Sequence, residues 1–261
     1  MKRIELDGRS LDLAGLEAIA ARRAVPFLSP DARARMQASR AVVERDLAAG
    51  KAVYGVTTGF GVFADVAISA EKRVELQRNL ILSHCAGVGE PIPVEASRAM
   101  MALRANALAL GHSGIRVEVV ETLLTMLEQD IIPIIPSQGS VGASGDLAPL
   151  AHLAASMMGV GEVRVGGARR SATDALKEAG IAPVVFLAKE GLAMINGTQA
   201  ICAIGGLALE EARRVLDVAD AVAAMTLDAL QGTDTAFDAR IHEARPHPGQ
   251  KKVAERMRAF L

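Results

Sequence analysis

Aromatic side chains are scarce in this chain of 261 residues. It has no Trp, one Tyr and six Phe, so aromatics make up 3% of a composition that is 51% hydrophobic. The core must then be built from Ala, Leu, Val, Ile and Met, which suits closely packed helices better than an aromatic-rich β-sandwich. The length permits one or two domains with a substantial core. The composition therefore predicts a mainly helical fold.

Cysteine and unbalanced charge are also lacking. Cys85 and Cys202 are too few for a disulfide framework or a zinc set. The 29 basic and 30 acidic residues are interspersed, which argues against a nucleic-acid footprint or a polybasic membrane patch. No apolar signal segment follows Met1–Asp7, and we expect no charge-free stretch long enough to span a membrane. We therefore expect a soluble, cytoplasmic protein with no nucleic-acid or membrane partner.

Helical patterns occupy most of the chain. Ser29 followed by Pro30 is typical of a capped helix start, and Gly50 lies just beyond the expected end at Ala49. A short strand is predicted at 3–6 and a small hairpin at 161–167. Further helices are predicted at 70–85, 94–110, 116–129 and, rich in Ala, 198–230.

The most informative stretch, GSVGASGDLAPL, runs from Gly139 to Leu150. Its glycines, spaced by two residues, keep the backbone permissive before a helical pattern. Glycines in such a place can cradle a phosphate. However, no lysine follows them as in a P-loop, and the spacing is not that of a dinucleotide-binding loop. A phosphate site is therefore the weaker interpretation.

The triplet Ala143-Ser144-Gly145 offers a different chemistry. In a tight bend the amide nitrogen of Gly145 can approach the carbonyl carbon of Ala143, because glycine has no Cβ to hinder it. Loss of two waters, one involving the Ser144 hydroxyl, would leave a five-membered imidazolone with an exocyclic methylene. That group is an electrophile with no counterpart among natural side chains. The same triplet is common in plain turns, so the residues alone leave both possibilities open.

Gly139–Leu150 resembles the signature of the aromatic amino acid ammonia-lyase family. Four further blocks agree in order along the chain, namely YGVTTGFG at 54–61, LQRN to SH at 76–84, KEGL to NGTQ at 189–199, and FDARIHEAR at 237–245. The last block resembles the branch that acts on histidine. The resemblance implies a methylideneimidazolone cofactor formed autocatalytically from Ala143, Ser144 and Gly145, with no metal and no external cofactor.

The resemblance also implies how the chain is organised. We expect an N-terminal catalytic, cofactor-forming domain at 1–200 and the start of a central helical bundle, truncated, at 201–261. Family members are longer homotetramers whose active sites combine several subunits. The implied partner is therefore either further copies of this chain or a complementary C-terminal polypeptide. Without one, the Ala- and Leu-rich faces of 200–230 would stay exposed.

Two candidate residues would act on the substrate. Tyr54 could simply anchor a turn, but the resemblance implies that its phenol removes the substrate β-proton, with Gly61 supporting the loop and Phe60 shaping a lid. His84 could be a helix-end or core histidine. The resemblance implies instead that it reads the substrate side chain, since an imidazole can hydrogen-bond another imidazole.

Four polar residues complete the candidates. The resemblance implies that Asn196 contacts the cofactor or the amino acid, although an Asn-Gly turn explains it equally well. Asp146 is expected to cap the following helix and to orient the cofactor loop. Gln199 is a possible supporting group behind the site, and Glu190 is expected on a helix surface. The histidines at 112, 152, 242 and 247 show no metal-ligand spacing and are interpreted as structural.

The resemblance thus implies non-oxidative deamination of L-histidine to trans-urocanate and ammonia. The resemblance implies that His84 favours a polar aromatic substrate, which includes both histidine and tyrosine. Tyrosine-selective members usually place Leu after this histidine, whereas Cys85 follows it here. A tyrosine or phenylalanine ammonia-lyase, an aminomutase, and a non-catalytic truncated or split subunit remain the alternatives.

Overall fold

The computed structural model describes residues 2–53, 55–59, 68–140 and 145–261. The chain divides into two compact units, Met1–Leu207 and Ala208–Leu261. The helices are α1 (Leu13–Ala20), α2 (Pro30–Ala48), α3 (Ala70–His84), α4 (Val94–Ala109), α5 (Val117–Glu128), α6 (Leu147–Met157), α7 (Ala172–Glu178), α8 (Glu190–Ile195), α9 (Gln199–Ala229), α10 (Ala239–Ala244) and α11 (Pro248–Phe260). The strands are β1 (Lys2–Leu6), β2 (Ala24–Leu28), β3 (Val88–Pro91), β4 (Ile132–Pro133), β5 (Pro136–Gln138), β6 (Glu162–Val165) and β7 (Ala168–Ser171). The predicted mainly helical fold with short β elements is confirmed.

Local sequence signals set several of these boundaries. Helix α2 begins as predicted, because Ser29 Oγ accepts a hydrogen bond from Ala32 N at 2.9 Å and Pro30 occupies the first turn. The predicted hairpin is the antiparallel pair β6–β7. Strand β1 also forms as predicted, and it pairs in parallel with β2. Short-range chemistry therefore decides where these elements start.

Helix α4 lies at the centre of the first unit. Its buried side chains are mostly small or flexible, namely Ala96, Ala99, Met100, Met101, Ala102, Ala105, Leu108 and Ala109. Alanine lets neighbouring helices approach closely, and methionine fills the irregular gaps that remain. Helices α1, α2 and α5 pack around α4. A polar residue on the buried side of α4 consequently lies in a closely packed environment with little access to water.

The short pair β3–β5 joins two distant parts of the chain. It is antiparallel, with Val88 opposite Gln138 and Pro91 opposite Pro136. Strand β3 follows α3 and β5 precedes the glycine-rich loop. The start of β3, which follows α3, therefore lies beside the end of β5, which leads into that loop.

The expectation about charge-free stretches is wrong. Residues 191–209 contain no Asp, Glu, Lys or Arg, and Glu190–Ala229 is long and apolar enough to cross a membrane by length and composition. The run nevertheless breaks at 196–198, between α8 and α9. Ala193, Met194 and Ile195 of α8 are buried in the core of the first unit. Those contacts account for the apolar character of the first part of the run.

The second unit contains the end of α9, a short 3-10 helix (Thr235–Phe237), α10 and α11. Arg256 on α11 pairs with Asp217 and Asp220 on α9. His242 is buried, with its Nε2 3.1 Å from the Ala236 carbonyl oxygen. Several large apolar side chains of α9 and its C-terminal end are exposed, namely Leu209, Val215, Leu216, Val218, Val222, Met225 and Leu230.

Candidate functional site

Gly145 lies against the turn that joins α8 to α9. Its φ is +114°, and a Cβ built on it would lie 3.0 Å from the Gly197 carbonyl oxygen and 3.4 Å from Asn196 Oδ1. Both the backbone conformation and the close contact therefore require glycine at this position. Ala143 and Ser144, the other members of the triplet, lie outside the described residues.

Asp146 fixes the described end of this loop. Its side chain is fully buried, and its backbone N donates to the Gly197 carbonyl oxygen at 2.6 Å. The carboxylate accepts hydrogen bonds from Ser140 Oγ and from Ile201 N, the latter at 3.0 Å. One residue thus ties the glycine-rich loop to the α8–α9 turn and to the first turn of α9.

Asp146 was expected to cap α6, but its side chain caps a different helix. Asp146 does precede α6, but its side chain makes no capping hydrogen bond to that helix. Ile201 N, which it does bind, belongs to the first turn of α9. The carboxylate therefore stabilises the N-terminus of a helix far away in sequence, where an anion is also favoured by the helix dipole.

Arg104, on α4, supports the α8–α9 turn from the core side. Nη1 donates to the Asn196 carbonyl oxygen at 3.0 Å and to Gln199 Oε1 at 2.7 Å, and Nη2 donates to the Ala193 carbonyl oxygen at 2.5 Å. The residue is 4% exposed. Burial lowers the pKa of its guanidinium to about 10, which still leaves it charged at neutral pH.

Sequence reasoning missed Arg104. The available signal was a single basic residue inside the apolar run from Ala99 to Ala109. Lys and Arg are almost never fully buried without a specific set of partners. A strongly basic residue in the middle of a buried helical pattern therefore indicates a specific set of polar partners in the core.

His84 is the last residue of α3 and is half-buried. Its Nδ1 lies 2.8 Å from the Leu80 carbonyl oxygen, which can only accept, so this nitrogen carries the proton. This tautomer leaves Nε2 as an acceptor. Burial raises the pKa of the neighbouring Cys85 thiol to about 11, so Cys85 is a poor nucleophile.

Contacts beyond His84 lead to the glycine-rich loop. Gly87 N donates to His152 Nε2 at 3.2 Å, and burial lowers the pKa of His152, which keeps that nitrogen an acceptor. A Cβ on Gly139 would lie 3.1 Å from Gly87 Cα. Together with the β3–β5 ladder, these contacts place the segment after His84 beside the start of the loop.

The first block of the signature is only partly described. Tyr54, Phe60 and Gly61 lie outside the described residues. Among their neighbours, Thr57 Oγ1 accepts a hydrogen bond from Val53 N at 2.8 Å, and Thr57 is buried. The described part of this block is therefore a closely hydrogen-bonded turn.

Comparison with known proteins agrees with this geometry. The aromatic amino acid lyase family matches residues 11–261. This chain belongs to that family.

Individual relatives are similar over almost the whole chain. A histidine ammonia-lyase of Myxococcus xanthus is 50% identical over 259 residues, which is 99% of this chain and 51% of the relative. One from Caldanaerobacter subterraneus is 49% identical over 261 residues, 100% of this chain and 51% of the relative. The chain spans about half the length of the curated relatives it matches.

Solved structures give the same fold. The crystal structure of histidine ammonia-lyase from Trypanosoma cruzi superposes with a TM-score of 0.94 at 43% identity, over 99% of this chain and 51% of that one. The tyrosine aminomutase from Streptomyces globisporus superposes with a TM-score of 0.93 at 38% identity, over 98% of this chain and 48% of that one. The family fold is therefore shared by lyases and aminomutases.

Glu190 is buried, although a position on a helix surface was expected for it. It is completely buried, and its carboxylate accepts hydrogen bonds from Arg116 Nε at 2.7 Å, Arg116 Nη2 at 2.8 Å and Leu187 N at 2.7 Å. Arg40 Nη1 lies 3.7 Å away. Glu190 therefore anchors the start of α8, while Gln77 Oε1 accepts from Gly191 N at 2.9 Å in the same turn.

The lyase-family residues named from the sequence thus fall into three groups. Gly145, Asp146, Asn196 and Gln199 lie together around the α8–α9 turn. His84 ends α3, and the segment that follows it, Gly87 and β3, lies beside the start of the same loop. Tyr54, Gly61, Ala143 and Ser144 are outside the described residues. No group of three or more His, Cys, Asp or Glu that could hold a metal occurs in the described part of the chain.

Proposed function

We propose that the protein containing this chain is a histidine ammonia-lyase. It deaminates L-histidine without oxidation, giving trans-urocanate and ammonia. The observation that carries the proposal is Gly145, held at positive φ against the Asn196–Gly197 turn. The proposal is also supported by the two curated relatives, whose names are histidine ammonia-lyase.

The cofactor is proposed to form from Ala143, Ser144 and Gly145. The cradle around Gly145 suits cyclisation, because it leaves no room for a Cβ beside the nitrogen that must attack. Asp146 restrains the following peptide through its bond to Gly197. Once formed, the methylideneimidazolone supplies the electrophile that makes loss of ammonia possible.

The remaining roles belong to ordinary side chains. Nε2 of His84 is assigned as an acceptor for the imidazole N–H of the substrate, since Nδ1 is engaged by Leu80. The Asn196 side chain is exposed beside Gly145 and can both donate and accept a hydrogen bond to the bound amino acid. Tyr54 is proposed as the base that takes the β-proton. Gly61 and Gln199 are proposed to support these residues.

The active unit is proposed to be a homotetramer, or a complex with a complementary C-terminal polypeptide, in the cytoplasm. Support comes from the exposed apolar side chains of α9, since a contiguous exposed apolar surface commonly marks an interface. We propose the N-terminal catalytic domain at 1–200 and the start of the bundle at 201–261 within that assembly. No metal, external cofactor or nucleic acid is part of the proposal.

An aminomutase is the second candidate. The observation in its favour is the superposition on a tyrosine aminomutase, which is nearly as close as that on the lyase. An aminomutase would return the ammonia to the β-carbon and release a β-amino acid.

Turnover assays of the natural-length polypeptide separate these functions. Incubation with L-histidine, L-tyrosine and L-phenylalanine should release urocanate and ammonia from histidine alone. A β-amino acid product without free ammonia would support the aminomutase. Equal rates on phenylalanine would contradict the assignment to histidine.

A further inference from the structure

Arg104 is an unusual buried cation. Its three hydrogen-bond acceptors, the Ala193 and Asn196 carbonyl oxygens and Gln199 Oε1, are all uncharged. Its Nε, like the Nε atoms of Arg35 and Arg98, has no hydrogen-bond partner among the described residues. Within the described part of the chain, its positive charge is therefore buried without a carboxylate in direct contact.

The hydrogen bonds of Arg104 offset the cost of burying its charge only in part. Burying a charge without a paired ion is costly, and bonds to neutral acceptors are weaker than bonds to a carboxylate. Arg98, on the same helix, shows the usual solution, because it pairs with Asp130 and donates to the Ala20 carbonyl oxygen at 3.3 Å. The acceptors of Arg104 around a single turn indicate that it also fixes the position of that turn.

The acceptors of Arg104 surround one turn. Ala193 and Asn196 are at the C-terminal end of α8, and Gln199 is the first residue of α9. A planar guanidinium with several fixed donors can hold groups on both sides of such a turn in one geometry. Arg104 thus holds residues 196–198 by hydrogen bonds from the side of α4.

The opposite side of the same turn faces the cofactor-forming loop. The Gly197 carbonyl oxygen accepts from Asp146 N at 2.6 Å, and it would be the nearest atom to a Cβ at position 145. A shift of the turn would therefore move the peptide that joins Gly145 to Asp146. Positional errors of about 1 Å commonly cost on the order of 100-fold in rate.

We propose that Arg104 is a positioning residue for cofactor formation. It fixes the 196–198 turn so that this turn holds Gly145 in the geometry needed for cyclisation. The proposal rests on the function proposed above, and Arg104 acts through the 196–198 turn. The charge is retained because the fork of donors, and not the packing volume, determines where the turn lies.

The test follows cyclisation directly in the natural-length polypeptide. Wild type, R104M and R104K are made by cell-free synthesis, and intact mass records the loss of two waters with time. R98K is the matched control for R104K, because it carries the same change on the same helix. Circular dichroism and the thermal midpoint report whether each variant is folded.

We expect R104M to be folded, with a thermal midpoint below that of wild type because three acceptors lose their donor, and to lose water about 100-fold more slowly per folded molecule. R104K should lie between R104M and wild type, since a lysine ammonium cannot span the same acceptors. R98K should lose water at the wild-type rate per folded molecule.

Three results would overturn the proposal. R104M could lose water at the wild-type rate, or it could fail to fold, which would make Arg104 an ordinary stabilising residue. R98K could be as slow as R104K, which would make the effect general to α4. Wild type that never loses water would be a different failure, since it removes the proposed function itself.

Discussion

The two units of the chain differ in how far their large apolar side chains are exposed to solvent. In the first unit, Leu123, Met126 and Leu108 are completely buried around α4. In the second unit, Leu216 on α9 is 65% exposed, and similar side chains around it are exposed as well. The first unit therefore encloses its own core and holds the candidate site, whereas the second presents a surface that suits a partner.

The largest effect is expected from a substitution at Gly145, in the first unit. Gly145→Ala should abolish urocanate formation and the loss of two waters, because the new Cβ would meet the Gly197 carbonyl oxygen at 3.0 Å. The positive φ should in addition destabilise the fold by about 1–2 kcal/mol. Intact mass and a urocanate assay provide the measurement.

Gly161→Ala is the matched control for that substitution. Gly161 has φ +84°, but nothing lies within 4 Å of the Cβ position. It should show the backbone cost alone and retain the cofactor. Loss of the cofactor in both variants would mean that the Gly145 cradle is not specific.

Leucine truncation tests the two units directly. Leu123→Ala should lower the free energy of unfolding by about 2–5 kcal/mol, because it opens a cavity in a closely packed core. Leu216→Ala should change it by less than about 0.5 kcal/mol in the isolated chain. Urea unfolding followed by circular dichroism measures both.

The same Leu216→Ala change should have a larger effect on the assembled enzyme. If a partner covers α9, the assembly should dissociate at higher protein concentration than wild type does, as measured by analytical ultracentrifugation. Unchanged assembly would show that Leu216 is not part of the proposed interface.

A smaller effect is expected from His152 as the pH falls. Burial holds its pKa below the ordinary 6.5, so its contribution to stability is complete above pH 6.5 and declines as the pH falls toward the lower folded value. Protonation also removes the acceptor for Gly87 N. His152→Gln, which keeps an acceptor, should flatten this part of the stability–pH curve. An unchanged slope in the variant would assign the decline to other groups.

The two thiols should give the smallest difference. The pKa of Cys85 is raised to about 11 by burial, whereas Cys202 is exposed. At pH 8, iodoacetamide should therefore label Cys202 first, since the thiolate is the reactive form. Peptide mapping after timed labelling measures the two rates. Equal rates would show that the segment after α3 opens readily.

Short-range patterns predicted a large part of this fold. The α2 start at Ser29-Pro30 and the hairpin after Gly161 depend on residues adjacent in sequence, and both were confirmed. The family was recognised from ordered blocks, and the match over residues 11–261 confirms it. These signals are local, or they are linear patterns that sequence alone preserves.

Long-range contacts explain what the sequence did not predict. Asp146 precedes one helix but caps another, because the amide that it binds is 55 residues away. Glu190 was expected at a surface, yet its partner Arg116 is 74 residues distant and draws it into the core. Arg104 was missed for the same reason, since its acceptors lie about α8 and α9. Periodicity indicates which face is apolar, but not which polar groups meet inside.

The loop before α6 is proposed to form an electrophilic cofactor. Peptide mass analysis of the purified natural-length polypeptide tests this most directly. We expect the loss of two waters, confined to the peptide containing Ala143, Ser144 and Gly145. An unmodified peptide in protein that nevertheless converts histidine to urocanate would contradict it.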